Sequence, residues 1–100
     1  MKKYKVEISS AAQNDLVEIA GYLAERDHGY AVHYYELFME KIRALTVSPE
    51  SGLLTRDKLL RLRGYRMLPV ESHIVFYVIN VGTVELRRVL YAKRQYDGML

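Results

Sequence analysis

Apolar and polar residues alternate at the start of the chain. Tyr4, Val6 and Ile8 flank the charged Lys5 and Glu7, and this period of two predicts a strand over residues 4–8 with its apolar side chains inward. The period then lengthens. Ser10-Ala11-Ala12-Gln13 fits a capping box, and Ala12, Leu16, Ile19 and Leu23 follow at helical steps, with Asp15, Glu18 and Glu25 off the stripe. An amphipathic helix over residues 11–27 is expected, with Gly29 supplying its stop. A second stripe of Ala31, Tyr34 or Tyr35, Phe38, Ile42 and Leu45 predicts a second helix over residues 30–48, ended by Ser48-Pro49-Glu50-Ser51-Gly52. So short a connection makes the two helices an antiparallel hairpin.

The rest reads as β. Leu59-Leu60-Arg61-Leu62-Arg63 is a strand candidate broken by Gly64, and Tyr65 to Val70 is another, interrupted or ended by Pro69. Ile74 to Ile79 is a continuous β-branched and aromatic run, as expected of a central strand covered on both faces. Val84 to Tyr91 forms the last strand. Its alternation slips between Leu86 and Val89, which a bulge at Arg87 or Arg88 would reconcile. The expected fold is α+β: an N-terminal strand, an αα-hairpin, then three to four strands, in one antiparallel sheet whose one face the hairpin covers. The other face is left for the arginines.

Composition narrows the chemistry. One hundred residues, half of them hydrophobic and 27% charged, make a single domain, residues 1–100, with one core and no large cofactor pocket. There is no Cys, so disulfides, thiol nucleophiles and thiolate metal sites are excluded, and His28, His33 and His73 lack metal-ligand spacing. Neither a cofactor nor a metal is expected. No nucleophile-elbow motif supports a serine hydrolase. Met1-Lys2-Lys3-Tyr4 leads into no apolar run and no stretch of about 18 apolar residues occurs, so neither secretion nor a membrane span is expected. A cytoplasmic protein is the expectation.

Charge is unevenly placed. Residues 1–55 carry six Lys and Arg against eight acids, whereas residues 56–100 carry nine against four. Most of the basic excess is Arg, the side chain suited to bidentate recognition of phosphate or carboxylate, and this points to an anionic partner. Solvation of one sheet face is the plainer explanation of the same charges. Metal-free RNA cleavage would need a proton acceptor, phosphate clamps and an acid, for which Arg61, Arg63, Arg66, His73, Tyr91, Lys93 and Arg94 are the candidates.

Several segments carry a resemblance. Residues 4–9, the run Ala12 to Tyr22, the stop at residues 45–52, Tyr65-Arg66, and the closing Val84-Glu85-Leu86-Arg87-Arg88-Val89-Leu90-Tyr91-Ala92-Lys93-Arg94-Gln95-Tyr96 together resemble the RelE/ParE superfamily of bacterial toxins from toxin-antitoxin modules. The resemblance spans nearly the whole chain and implies a cognate antitoxin partner whose disordered segment folds over the toxin. Two activities occur in that superfamily: RelE-like members cut mRNA at the ribosome, and ParE-like members poison DNA gyrase. Ile74 stands where the nucleases carry an arginine, which favours the ParE branch, while Tyr91 and Gln95 replace its usual His and Asp. The gyrase reading makes Arg61, Arg63, Arg66, Arg87, Arg88, Tyr91, Lys93 and Arg94 target contacts with no catalytic residue. The nuclease alternative assigns catalysis to Arg63, Arg66, His73, Tyr91, Lys93 and Arg94, and a third alternative is a non-toxic binding remnant.

Overall fold

The computed structural model describes residues 3–93 and Leu100. Lys5–Ile8 forms β1, followed by α1 (Ser10–Arg26), α2 (His28–Leu45), a 3-10 turn at Pro49–Ser51, β2 (Leu53–Leu54), α3 (Lys58–Leu62), β3 (Arg66–Val70), β4 (His73–Asn80) and β5 (Thr83–Tyr91). The five strands make one sheet in the order β1-β5-β4-β3-β2. Arg94 lies outside the described residues.

The helical hairpin forms as its periodicity predicts, but its caps sit elsewhere. Ser9, not Ser10, is the N-cap of α1: its hydroxyl accepts from the Ala12 backbone amide, and the Gln13 side-chain amide donates from Nε2 to the Ile8 carbonyl instead of closing a box. Asp27, not Gly29, joins the helices. Its backbone N–H donates to the Leu23 carbonyl to finish α1, while its carboxylate accepts from the Tyr30 amide to begin α2. Gly29 therefore lies within the first turn of α2.

Two other expectations change. Residues 59–63 are not a strand, because the Asp57 carboxylate accepts from the Leu60 amide and starts α3. Gly64, at φ 85°, ends it by letting the Tyr65 amide reach the Leu60 carbonyl. The sheet is also mixed: Lys5–Ile8 pairs with Thr83–Leu86 in parallel, while the other three pairings are antiparallel. Short turns force antiparallel neighbours only where they connect consecutive strands, as in β3-β4-β5. No such turn links β1 to β5, so its direction is free of that constraint.

The bulge falls at Arg87: Phe76 faces Arg88 and Tyr77 faces Leu86, leaving Arg87 as the extra residue. Pro69 neither interrupts nor ends β3. It pairs with Ile74 beyond the two residues that β2 covers, on a stretch of free edge where its missing N–H costs no ladder bond.

Beneath the hairpin the main core joins Tyr34, Phe38, Ile42 and Leu45 of α2 to Val75 and Tyr77 of β4 and Val84, Leu86 and Val89 of β5. The opposite face is not given over to arginines. A smaller cluster of Leu60, Tyr65, Phe76, Val78 and Leu90 is buried there, with Ile74 packed against it. Among the described residues no helix is long and apolar enough to cross a membrane.

Candidate functional site

The basic residues divide by what they touch. Asp15 sits one turn into α1 and is only 9% exposed. Its carboxylate accepts from Arg88 Nε at 2.8 Å, from Arg88 Nη2 at 2.9 Å and from the Val89 amide at 2.9 Å. This arrangement follows from β1 ending at Ile8. Among the described residues the outer edge of β5 has no neighbouring strand beyond Leu86; α1 supplies Asp15 for the Val89 donor, and its N-cap Ser9 donates its hydroxyl to the Arg87 carbonyl. The same carboxylate favours the charged form of Arg88, pushing its pKa up.

Arg66 is equally engaged. Its Nη1 donates to the carbonyls of Glu50 and Gly52, at 3.2 and 3.1 Å. Next to it the fully buried Tyr77 donates its hydroxyl proton to the Pro49 carbonyl at 2.6 Å and accepts from the Gly52 amide at 3.0 Å. Together they fasten the chain between α2 and β2 to the sheet. A Cβ on Gly52 would collide with the Tyr77 hydroxyl, so this close approach requires glycine. Arg87 pairs with Glu85 at 2.7 Å, and this carboxylate and the Tyr65 hydroxyl hold the guanidinium in its charged form.

Arg61 and Arg63 differ from these three. Both are exposed at the C-terminal end of α3, and their side chains make no hydrogen bond or ion pair to a described residue. Around them Leu53 and Leu54 of β2 and Leu59 and Leu62 of α3 are all more than half exposed. Residues 53–63 thus present arginines among solvent-facing leucines. Lys93 is exposed just past β5.

His73 and Tyr91 face each other across β4 and β5, their rings in edge contact at 5.9 Å, and Tyr34 lies on the other side of His73 at 5.5 Å. Burial lowers the pKa of His73 and raises that of Tyr34, so both are held neutral. The His73 Nδ1 and the Tyr34 hydroxyl are buried without a hydrogen-bond partner among the described residues. Arg66 stands opposite Tyr77 and His73 opposite Val70, four residues apart along β4, which is about 13 Å at the rise of an antiparallel strand. Among the described residues the nuclease candidates therefore form no single cluster: His73 and Tyr91 meet, Arg66 is at the other end of the strand pair and Arg63 lies just past α3. No group of three or more His, Asp or Glu residues suited to a metal ion occurs among the described residues.

Hollows by the hairpin include two that α1 and α2 both line. An apolar groove of about 370 Å³ runs between α1 and α2, lined by Leu16, Ile19, Leu23, Ala31, Tyr34 and Phe38 among others. At its rim Val17 and Tyr35 are 72% and 64% exposed. A second pocket of about 700 Å³ is bounded by α1, α2, the β3–β4 turn and the end of β5, and contains Glu18, Tyr22, Tyr30, Glu71, His73 and Tyr91. Sequence reasoning missed Asp15, which reads there as one more acid off the apolar stripe. It missed Glu18, Tyr22, Tyr30 and Glu71 too, because four separate segments build that pocket.

Comparison with known proteins follows the same geometry. The sequence profile for the ParE toxin of the type II toxin-antitoxin system, parDE, matches residues 6–96. No curated protein sequence matches significantly. Among solved structures, the chromosomal ParDE TA system from P. aeruginosa is similar, with a TM-score of 0.74 at 14% identity, covering 91% of this chain and 98% of that one. The toxin-antitoxin complex RelBE2 from Mycobacterium tuberculosis is similar with a TM-score of 0.58 at 20% identity, covering 89% of this chain and 98% of that one.

Proposed function

Because the chain belongs to the ParE toxin family of type II toxin-antitoxin systems, we propose that it arrests growth by poisoning DNA gyrase and that a cognate antitoxin silences it. The observation that carries this reading is the contrast among the arginines. Those on the strands are engaged within the fold, and the exposed pair, Arg61 and Arg63, stands among the exposed Leu53, Leu54, Leu59 and Leu62. Arginine mixed with accessible apolar surface suits a protein target better than a phosphate clamp does. Arg87 and Lys93, also exposed, extend the contact. Phosphoryl chemistry would need base and clamp together, whereas His73 and Arg66 stand at opposite ends of the β3–β4 pairing, offset by about 13 Å along the strands. Ile74, in place of an arginine, packs against the smaller cluster.

The antitoxin belongs in the groove between α1 and α2. An amphipathic segment would bury the apolar walls there, including the exposed Val17 and Tyr35.

One observation favours the RelE-like alternative: the ring contact of His73 with Tyr91 sets a proton carrier beside a phenol. The test offers the purified chain to gyrase with supercoiled plasmid, and separately to translating ribosomes with mRNA. Stabilised gyrase cleavage complexes, lost in an Arg61→Glu/Arg63→Glu variant, are the expected result. Cleavage of ribosome-bound mRNA abolished by Tyr91→Phe, without gyrase inhibition, would replace the reading with the nuclease, and inactivity in both assays would leave a binding remnant. Co-expression with the neighbouring small gene checks the antitoxin: growth should recover, and the two products should purify together.

A further inference from the structure

The larger pocket lies outside the contact proposed around Arg61 and Arg63, and its lining is chiefly aromatic and acidic. Tyr22, Tyr30, Tyr34 and Tyr91 bring ring surface to it, and Glu18 and Glu71 bring carboxylates. Neither carboxylate accepts a hydrogen bond from a described residue, and among the described residues no lysine or arginine lines the pocket. Arg88, whose charge Glu18 feels, is already bound by Asp15. Tyr34 is 5% exposed, and its hydroxyl has no hydrogen-bond partner among the described residues. Glu71 takes a positive φ of 53° in the β3–β4 turn, a conformation that favours glycine, so the turn holds a carboxylate at the rim against its backbone preference. One of the rings shows the relevant contact within the chain itself: the Arg26 guanidinium lies 3.6 Å over the centre of Tyr22.

We propose that this pocket receives one organic cation of the guanidinium or alkylammonium class, held on the faces of Tyr30, Tyr34 and Tyr91 and neutralised by Glu18 and Glu71. Aromatic faces attract such cations through their quadrupole, and carboxylates that accept no hydrogen bond from a described residue supply the countercharge. An anion finds no cation among the described lining, and a bare metal ion finds too few ligands.

Ile19, Leu23 and Tyr34 line both this pocket and the apolar groove. A polypeptide seated in the groove could therefore place an Arg or Lys side chain here, a source that rests on the antitoxin reading, whereas a free polyamine would not depend on it.

The probe is agmatine, titrated into the isotope-labelled full-length chain and followed by amide chemical shifts. Saturable binding at millimolar agmatine is expected, with shifts at residues 18–34, 71–73 and 91. Glu71→Gln, in an exposed turn, and Tyr30→Leu should each weaken it about fivefold, the loss of one such contact. Absence of saturable binding would overturn the proposal. So would equal binding of the neutral N-butylurea, or affinity unchanged in both variants while their circular dichroism matches the parent. A second arm uses the chain co-purified with its antitoxin. If saturating agmatine loosens that complex, the bound cation is a side chain of the partner, and if agmatine still binds the intact complex, it is a free cation. Should no antitoxin be found, the first arm still decides the pocket, so the two readings fail separately.

Discussion

Arg88 and Arg61 are the same residue type in the same basic half of the chain, and they do opposite things. Arg88 is clamped by a nearly buried carboxylate that also closes a strand edge; Arg61 stands in solvent beside exposed leucines. A charge count treats them alike. What separates them is whether the backbone around each leaves a polar group unsatisfied. The bare edge of β5 needs an acceptor, Asp15 supplies it, and a cation beside Asp15 offsets its burial. The end of α3 has no comparable demand, since Gly64 and the Tyr65 amide complete it. An arginine left without a structural task is the one available to a partner.

The comparison breaks most visibly at Asp15. Asp15→Ala leaves the Val89 amide and the Arg88 guanidinium without their acceptor, and should cost about 3 kcal/mol in urea unfolding. If both single variants and the Asp15→Ala/Arg88→Ala double variant lie within about 0.5 kcal/mol of the parent, the strand arginine is as free as those of α3. Arg66→Ala should cost about 1–2 kcal/mol, because it removes two donors from the Glu50 and Gly52 carbonyls. Limited proteolysis should then cut between residues 46 and 57 faster than in the parent.

A smaller effect is expected from pH. Burial holds the pKa of His73 below its ordinary value of about 6.5, so the unfolded chain binds this proton more readily than the folded one. The stability that His73 contributes is complete above about pH 6.5 and is lost as the pH falls from there through its folded value. Comparing unfolding at pH 7.5 and pH 5.5, His73→Phe should show a shallower loss than the parent. Smallest of all is the structural effect of Arg61→Glu/Arg63→Glu, within about 0.5 kcal/mol of the parent, although this is the variant expected to abolish gyrase inhibition. A large loss of stability there would erase the distinction between the two groups of arginines.

Local pattern made much of this legible and non-local pairing hid the rest. The hairpin could be read because each helix repeats its apolar stripe over four or five turns. The Arg87 bulge could be read because the alternation of β5 visibly changes parity. Residues 59–63 misled because Leu60 and Leu62 alternate with Arg61 and Arg63 over too few positions to tell a period of 2 from 3.6, and the informative signal was the capping Asp57. The expected N-cap fell one residue late because adjacent serines, Ser9 and Ser10, fit the position almost equally well. Parallel pairing of β1, the engagement of Arg88 and the pocket at Glu71 all depend on residues far apart in sequence, for which periodicity offers no sign.

The parallel pairing of β1 with β5 also governs when this protein can come into being. Residues 5–8 leave the ribosome well before their partners, residues 83–86. A nascent chain can form its helical hairpin early, while β1 waits with its hydrogen-bonding groups unpaired until β5 has been made. Completion of the sheet is thereby tied to the synthesis of β5, so a copy that stops before residue 83 lacks the parallel pair.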